Sequence, residues 1–377
     1  MMANEHHPMR IVLRADASLE IGTGHVIRCL TLAHALRDKG ADCHFICREH
    51  SGNLVESIRS KGFVVHALHE ISVANEYSSV NSSKANQLVH WDWLGATQQE
   101  DAEVCAGILE QLQPDWLIVD HYGLDIFWEQ KLKPHFRKLM VIDDLADRAH
   151  QCDLLLDQTF GRNAADYLSW VPSDTKLMCG SQYALLRPDF ANLRQYSLQR
   201  RLRPKLRQLL ISFGGVDRDN MTVKVLEILR SSSLLEDCHI SVVMGSTAPW
   251  LNEVQRFVQD MPWPTSVQVD VNNMAQLMAD SDLAIGAAGA TSWERCCLGL
   301  PTVMLVLADN QIKIAQALSK AGAVIKIDRL TFKVTQLINA DMIESDALAG
   351  MSSAASKVTD GLGTQRILHA LCNEDRI

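Results

Sequence analysis

The amino-acid sequence predicts an α/β protein built from two Rossmann-like, doubly wound domains that face each other across a cleft. Three observations carry that prediction. Short apolar runs alternate with stretches of helical spacing along most of the chain. The runs are continuously apolar, as strands of a parallel sheet covered on both faces must be. The alternation breaks once, at an arginine-rich stretch, and then restarts. Strand–helix alternation of this kind winds a parallel sheet with helices on both faces, and 377 residues suffice for two such cores.

Each element follows in chain order. IVLRADA reads as the first strand, and VIRCLTLAHALRDKG as a helix stopped by Gly40. DCHFIC is the next strand, followed by a helix ending at Gly62 and the strand FVVHAL. Residues 70–97, which contain SSVNSS, read as a long polar loop or insertion. TQQEDAEVCAGILEQLQ is helical; DWLIVDHY and KLMVIDDL are strands with DIFWEQKLKPHF between them, and CDLLLDQ is one more strand. LRQYSLQRRLRPKLRQ is dense in arginine and reads as an interdomain linker. The expected division is residues 1–195, a linker at 196–206, and residues 207–377. In the second domain RQLLISFGG, HISVVMG, SVQVDV, DLAIGAAG and PTVMLVLAD read as strands, each followed by a helix, and residues 340–377 as helix of weak periodicity.

Bulk properties narrow the function. A net charge of −9 speaks against nucleic acid or an anionic membrane surface as partner. No stretch reaches the ~20 apolar residues of a membrane helix, and MMANEHHPMR carries no apolar leader-like run. The ten cysteines are scattered without a CxxC pair, the pattern of buried reduced thiols. A cytoplasmic protein without stable membrane insertion follows, with monomer as the default state.

Ligands of such sheets sit at the carboxyl ends of strands, and five polar clusters fall there. Gly22-Thr23-Gly24-His25 lets backbone N–H groups approach an anion at a helix start. It is not a GxGxxG fingerprint, so a nicotinamide cofactor is disfavoured and none is expected. His25 is either a chemical group or an ordinary helix-start residue. Asp120-His121-Tyr122 and Asp143-Asp144 end two strands. Adjacent strand residues face opposite ways, so a metal held by both aspartates is the minority reading and no metal is expected. Gly214-Gly215 is a turn open to phosphate or a plain tight turn. In IGAAGATSWERCCLGLPTVMLVLADNQ, Gly289, Thr291 and Ser292 form a small-residue turn. Glu294 stands at capping-box spacing from Thr291, or else accepts ribose hydroxyls. Asp309, Asn310 and Gln311 end the following strand.

Taken together, RADAS-x-x-IGTGHVxRCL, VDHY, IDDLADR, CDLLLDQ, YALLRPDFA, SFGG-x-D, GAAGATSWERCCLGLPT and LADNQ resemble the UDP-sugar hydrolases of pseudaminic acid biosynthesis. The likeness runs in order from about Arg10 to about Ala323 and weakens in residues 70–97 and the tail. The resemblance implies a GT-B-like fold and metal-free hydrolysis of UDP-2,4-diacetamido-2,4,6-trideoxy-β-L-altropyranose to UDP and the free sugar. It implies that His25 activates water, and that Tyr122 and Asn310 orient water or sugar. Histidine suits the base role because its ordinary pKa lies near neutrality. UDP would be met by Gly214, Gly215 and the Gly289–Ser292 turn, with Glu294 on ribose. Uracil would rest near Met244-Gly245 and Asn273-Met274, by analogy of fold. A GT-B glycosyltransferase, a UDP-sugar 2-epimerase and an inactive UDP-sugar binding module are the competing functions.

Overall fold

A computed structural model describes residues 7–69, 88–231, 237–328 and 337–373. It divides into two compact units: the first takes the chain to 158, then 162–180 and the stretch from 367; the second takes 159–161 and 181–366.

The first unit holds a sheet of β1 (Arg10–Ala15), β2 (Asp42–Arg48), β3 (Val64–Leu68), β4 (Trp116–Asp120), β5 (Lys138–Ile142), β6 (Leu154–Asp157) and β7 (Lys176–Cys179). Its order is β3-β2-β1-β4-β5-β6-β7, and every pairing is parallel. Helices α1 (Gly24–Arg37), α2 (Val55–Ser60), α3 (Gln98–Leu112) and α4 (Ile126–Leu132) accompany it. Ile11, Val12 and Leu13 are all fully buried, so both sheet faces are covered, which is why these strands read as unbroken apolar runs. Leu109 of α3 and Trp128 and Leu132 of α4 pack with Val12, Leu117 and Val119 on one face. Of the expected 70–97 insertion, residues 70–87 lie outside the described residues; within the rest, Trp91–Leu94 form a 3-10 turn ahead of α3.

The second unit holds β8 (Gln208–Ser212), β9 (His239–Met244), β10 (Thr265–Val269), β11 (Leu283–Ala287), β12 (Thr302–Val306) and β13 (Ile325–Asp328). They run parallel in the order β10-β9-β8-β11-β12-β13. Here α5 (Pro188–Arg200), α6 (Met221–Arg230), α7 (Leu251–Phe257), α8 (Met274–Asp280), α9 (Thr291–Cys297) and α10 (Ile312–Lys320) are followed by α11 (Ala340–Ile343) and α12 (Ser345–Ser356), while the last helix, α13 (Gly363–Asn373), begins in this unit and belongs to the first from residue 367. Leu210 packs into one core cluster, and Leu209 and Ile211 into another, as the two faces of β8 require.

The boundary is corrected. Residues 196–200, expected as the start of the linker, and 188–195, expected in the first domain, form α5 and belong to the second unit, and the chain passes between units at 180–181. The arginines that suggested a solvated segment turn inward. Arg201 donates to the carbonyls of Met278, Ala279 and Ser281, Arg194 to those of Cys297 and Ser356, and Arg200 pairs with Asp282 at 2.8 Å. They thus satisfy helix-end carbonyls that have no partner of their own. The chain from 367 onward, expected within the second domain, returns to the first unit.

Candidate active site

In each sheet the strand order reverses at one point, between β1 and β4 in the first and between β8 and β11 in the second. A crevice opens at the carboxyl ends of such strands. The candidate residues gather at both places.

In the first unit the chain leaves β1 and folds back on itself. Ser18 Oγ accepts from the N–H groups of Glu20 and Ile21, and Gly22 N–H donates to Ser18 O at 2.9 Å. Gly22 sits at φ +78°, a left-handed conformation that costs glycine nothing. This turn starts α1 at Gly24 and puts His25 in its first turn. There His25 Nδ1 lies 2.5 Å from Asp120 Oδ1, at the end of β4. Asp120 is fully buried, and Arg28 grips both its oxygens, through Nε at 2.5 Å and Nη2 at 2.6 Å. Burial alone would raise the Asp120 carboxyl, but Arg28 and His25 outweigh it and hold the group well below the usual carboxylate range. An ionised carboxylate only accepts, so Nδ1 of His25 donates to it, and in the neutral ring Nε2 is the nitrogen left with the lone pair. No described residue hydrogen-bonds Nε2, and His25 is 8% exposed.

Arg28 also reaches Asp144 Oδ2 at 2.5 Å, and the Tyr122 hydroxyl donates to that oxygen at 2.8 Å. Burial, with the Asp144 carboxylate, pushes the Tyr122 phenol well up, so it stays protonated. The Tyr122 ring stands edge-on to His25, with centroids 4.6 Å apart. Trp93 and His90 continue the aromatic wall: Trp93 stacks on Tyr122 at 5.8 Å and lies 4.3 Å from His90. Strand alternation explains why His121, between Asp120 and Tyr122, does not join them. Its Nδ1 accepts from Gly123 N–H and its Nε2 faces Asp16 at 3.3 Å. Asp143 is likewise turned away, accepting from Arg148, Tyr167 and Ala146 N–H. The two adjacent aspartates therefore point to different partners. Among the described residues no group of three or more His, Cys, Asp or Glu is arranged to hold a metal ion.

In the second unit the remaining candidates follow the ends of β8, β9, β10, β11 and β12. Gly214 (φ +85°), Gly215 and Gly289 border open space: a Cβ on any of them would meet nothing within 4 Å. The first-turn amides of α6 are not available to a phosphate. Asp217 accepts from Met221 and Thr222 N–H, and Asn220 from Val223 N–H. Gly245 is needed for packing, since a Cβ there would come 2.5 Å from Gly215 O, to which its own N–H donates. Met244 lies in the core. Asn273 is the exposed N-cap of α8, and Met274 its half-buried first residue. Ser292 is fully buried, so its hydroxyl is turned from solvent toward Arg295. Thr291 is the first residue of α9, whose N-cap is Ala290 with no side-chain cap, so the capping box that Thr291 and Glu294 suggested does not form. The Glu294 carboxyl is thereby left for another use. Burial raises it to about 7 against the pull of Arg187 and Arg295. Asp309 and Asn310 are exposed on a 3-10 turn, while Gln311 Oε1 accepts from Leu307 N–H and closes that loop.

Arg28 and Trp93 were not singled out from sequence as site residues, and Asp120 and Asp144 entered only as members of strand-end clusters, without the contacts to His25 and Arg28. For Arg28 a signal existed: it lies three residues after His25, on the same helix face. Trp93 carried none, because it lies in the polar stretch read as loop.

Residues 214–365 match the glycosyltransferase family 28 C-terminal domain. The chain is 26% identical over 315 residues to the UDP-2,4-diacetamido-2,4,6-trideoxy-β-L-altropyranose hydrolase of Campylobacter jejuni, covering 83% of this chain and 97% of that one. It is 25% identical over 301 residues to an uncharacterized protein of Methanocaldococcus jannaschii, covering 79% of this chain. The chain spans only 55% of the length of that relative. Among solved structures it is similar to Acinetobacter baumannii MurG, with a TM-score of 0.64 at 15% identity, covering 97% of this chain and 99% of that one. The two parallel α/β sheets are thus those of the GT-B fold, as the sequence predicts.

Proposed function

We propose that the protein hydrolyses a UDP-sugar at its anomeric carbon, releasing UDP and the free sugar, and that the substrate is UDP-2,4-diacetamido-2,4,6-trideoxy-β-L-altropyranose on the pathway to pseudaminic acid. The observation that carries the reaction class is the His25–Asp120–Arg28 arrangement at the first switch point. The relative from Campylobacter supports the substrate.

In the proposed reaction, Nε2 of His25 takes a proton from water as the water oxygen bonds to C1. The bond between C1 and the β-phosphate oxygen breaks, and UDP departs with the electron pair. The imidazolium so formed is stabilised by Asp120, which is kept anionic by Arg28. Tyr122, whose own proton is committed to Asp144, has its oxygen lone pairs available to hold the water or a sugar hydroxyl. The leaving diphosphate is met by the backbone at Gly214-Gly215 and Gly289–Ser292, with Glu294 on ribose. Uracil rests against the backbone near Met244-Gly245 and Asn273-Met274, and Asn310 orients the sugar. No step is assigned to a metal.

A glycosyltransferase is the second function, favoured by the family 28 match and the likeness to MurG. The same base would then deprotonate an acceptor hydroxyl. Incubating the protein with the UDP-sugar and no acceptor, followed by NMR, separates the two. Stoichiometric UDP and free sugar are expected; an unchanged UDP-sugar that is consumed only when an acceptor is added would establish transfer instead.

A further inference from the structure

Arg295 is an anomaly of the second unit. It is 2% exposed, yet no carboxylate is hydrogen-bonded or ion-paired to it among the described residues. Its Nη2 donates to Ala287 O at 2.6 Å and to Ser292 Oγ at 3.3 Å, and its Nε finds no partner. A buried charge is ordinarily paired, because leaving water without a counter-charge is costly. Among the other buried arginines, Arg14 lies against Asp16 and Asp101, Arg28 against Asp120 and Asp144, and Arg48 against Asp101. Arg201 also lacks a carboxylate but is met by the carbonyls of Ser197, Met278, Ala279 and Ser281, so Arg295, with one carbonyl and one hydroxyl, is the least compensated of them. Space has been made for the exception. A Cβ on Gly286 would stand 2.5 Å from Arg295 Nη1 and 2.5 Å from Ser212 O, so glycine in β11 makes room both for the guanidinium and for the neighbouring strand β8.

The place is informative. The two side-chain donations go to Ala287, the last residue of β11, and to Ser292, in the first turn of α9, so they flank the connection at 288–290. That connection carries Gly289, whose outer side is open. Helix α9 has only seven residues, so its own dipole is a weak attraction for a doubly charged group. Glu294, the nearest carboxyl in sequence, is raised to about 7 by burial and is therefore a poor permanent partner.

We propose that Arg295 is the built-in counter-charge for the nucleotide's diphosphate, acting through the 287–292 connection and unpaired until the anion arrives. The proposal rests on the reading that the second unit holds UDP. It assigns Arg295 a positioning and electrostatic role without contact to the reacting atoms. It also explains how the leaving group is stabilised while the amides of α6 are occupied by Asp217 and Asn220.

Calorimetric titration with UDP and with uridine, which lacks the diphosphate, tests this on the full chain. Arg295→Met is expected to weaken UDP at least about tenfold, equivalent to ~1.4 kcal/mol, and to leave uridine within about twofold. Arg295→Lys keeps the charge and the UDP affinity near pH 7.5. Its buried ammonium loses its proton more readily than arginine, so UDP affinity in that variant falls between about pH 7.5 and about 8.5 while its uridine affinity does not. The wild type stays flat there, since burial lowers Arg295 only to about 10. Equal loss of UDP and uridine in Arg295→Met, or no loss of either, would overturn the proposal. Where the methionine variant does not fold, a pH-independent UDP affinity in Arg295→Lys would overturn it equally. A wild-type protein that binds neither ligand removes the UDP reading itself, and a wild type that binds uridine as tightly as UDP removes the counter-charge alone.

Discussion

Asp120→Asn probes the proposed base without touching it. In the wild type the Asp120 carboxylate accepts four hydrogen bonds, one from His25 at 2.5 Å, two from Arg28 at 2.5 and 2.6 Å and a long one from the Cys29 thiol at 3.6 Å. An amide of the same shape has one accepting atom and one donating atom. If its oxygen keeps Arg28, its NH2 faces His25 Nδ1, which must then accept, and the ring proton moves to Nε2. The group that should receive the water's proton is then already protonated. Turnover should fall ~10²–10⁴-fold, the range for losing a positioned base or its correct tautomer. Removing one partner of a buried ion pair costs ~3–5 kcal/mol, and the lower end applies because Arg28 retains Asp144 at 2.5 Å. UDP affinity should not move, since the UDP contacts are assigned to the other unit. The assay is UDP release at saturating substrate beside calorimetric UDP binding and a thermal melt. Turnover within about threefold of wild type in a folded variant would refute the His25–Asp120 reasoning.

Other consequences can be checked with the same material. If Glu294 accepts ribose hydroxyls as a carboxylate, its proton must leave first, so UDP and uridine affinities should both fall as pH drops below about 7, and Glu294→Gln should abolish that dependence. Asp143 is held down at about 2, because Arg148, His150 and the hydrogen bonds from Ala146 N–H and Tyr167 together outweigh burial. A depressed carboxylate stabilises the fold above its unfolded pKa of ~3.9 and loses that contribution as pH falls toward 2. Asp143→Asn should therefore flatten the acid limb of a pH–stability curve by about 2 kcal/mol. Exhaustive treatment with a chelator should leave UDP release unchanged; strong inhibition, reversed by a divalent cation, would bring a metal into the mechanism.

Strands buried on both faces were legible because their apolar runs are unbroken, as in β1, β4 and β12. Edge strands β7 and β13 were not: each has four residues, and lysine occupies Lys176 and Lys326. Helix α5 was misread for a different reason. Composition reports how many arginines a segment has, and cannot report that Arg194, Arg200 and Arg201 turn inward to carbonyls and a carboxylate far along the chain. The site divides the same way. His25 and Tyr122 were legible because each closes a strand-end motif. The contact that gives His25 its tautomer was not, since Asp120 lies 95 residues further along the chain. Glu294 shows the limit of a spacing rule: the Thr-x-x-Glu pattern is present, but the helix begins one residue too early for Thr291 to cap it.

The most direct measurement is UDP release by His25→Asn, beside its UDP binding. Asparagine cannot accept the water's proton at neutral pH, so turnover should fall by ~10² or more, with UDP affinity and thermal stability close to wild type. Near-normal turnover in the folded variant would contradict the assignment of His25 as the base, and parallel loss of UDP binding would make it a residue that holds substrate instead.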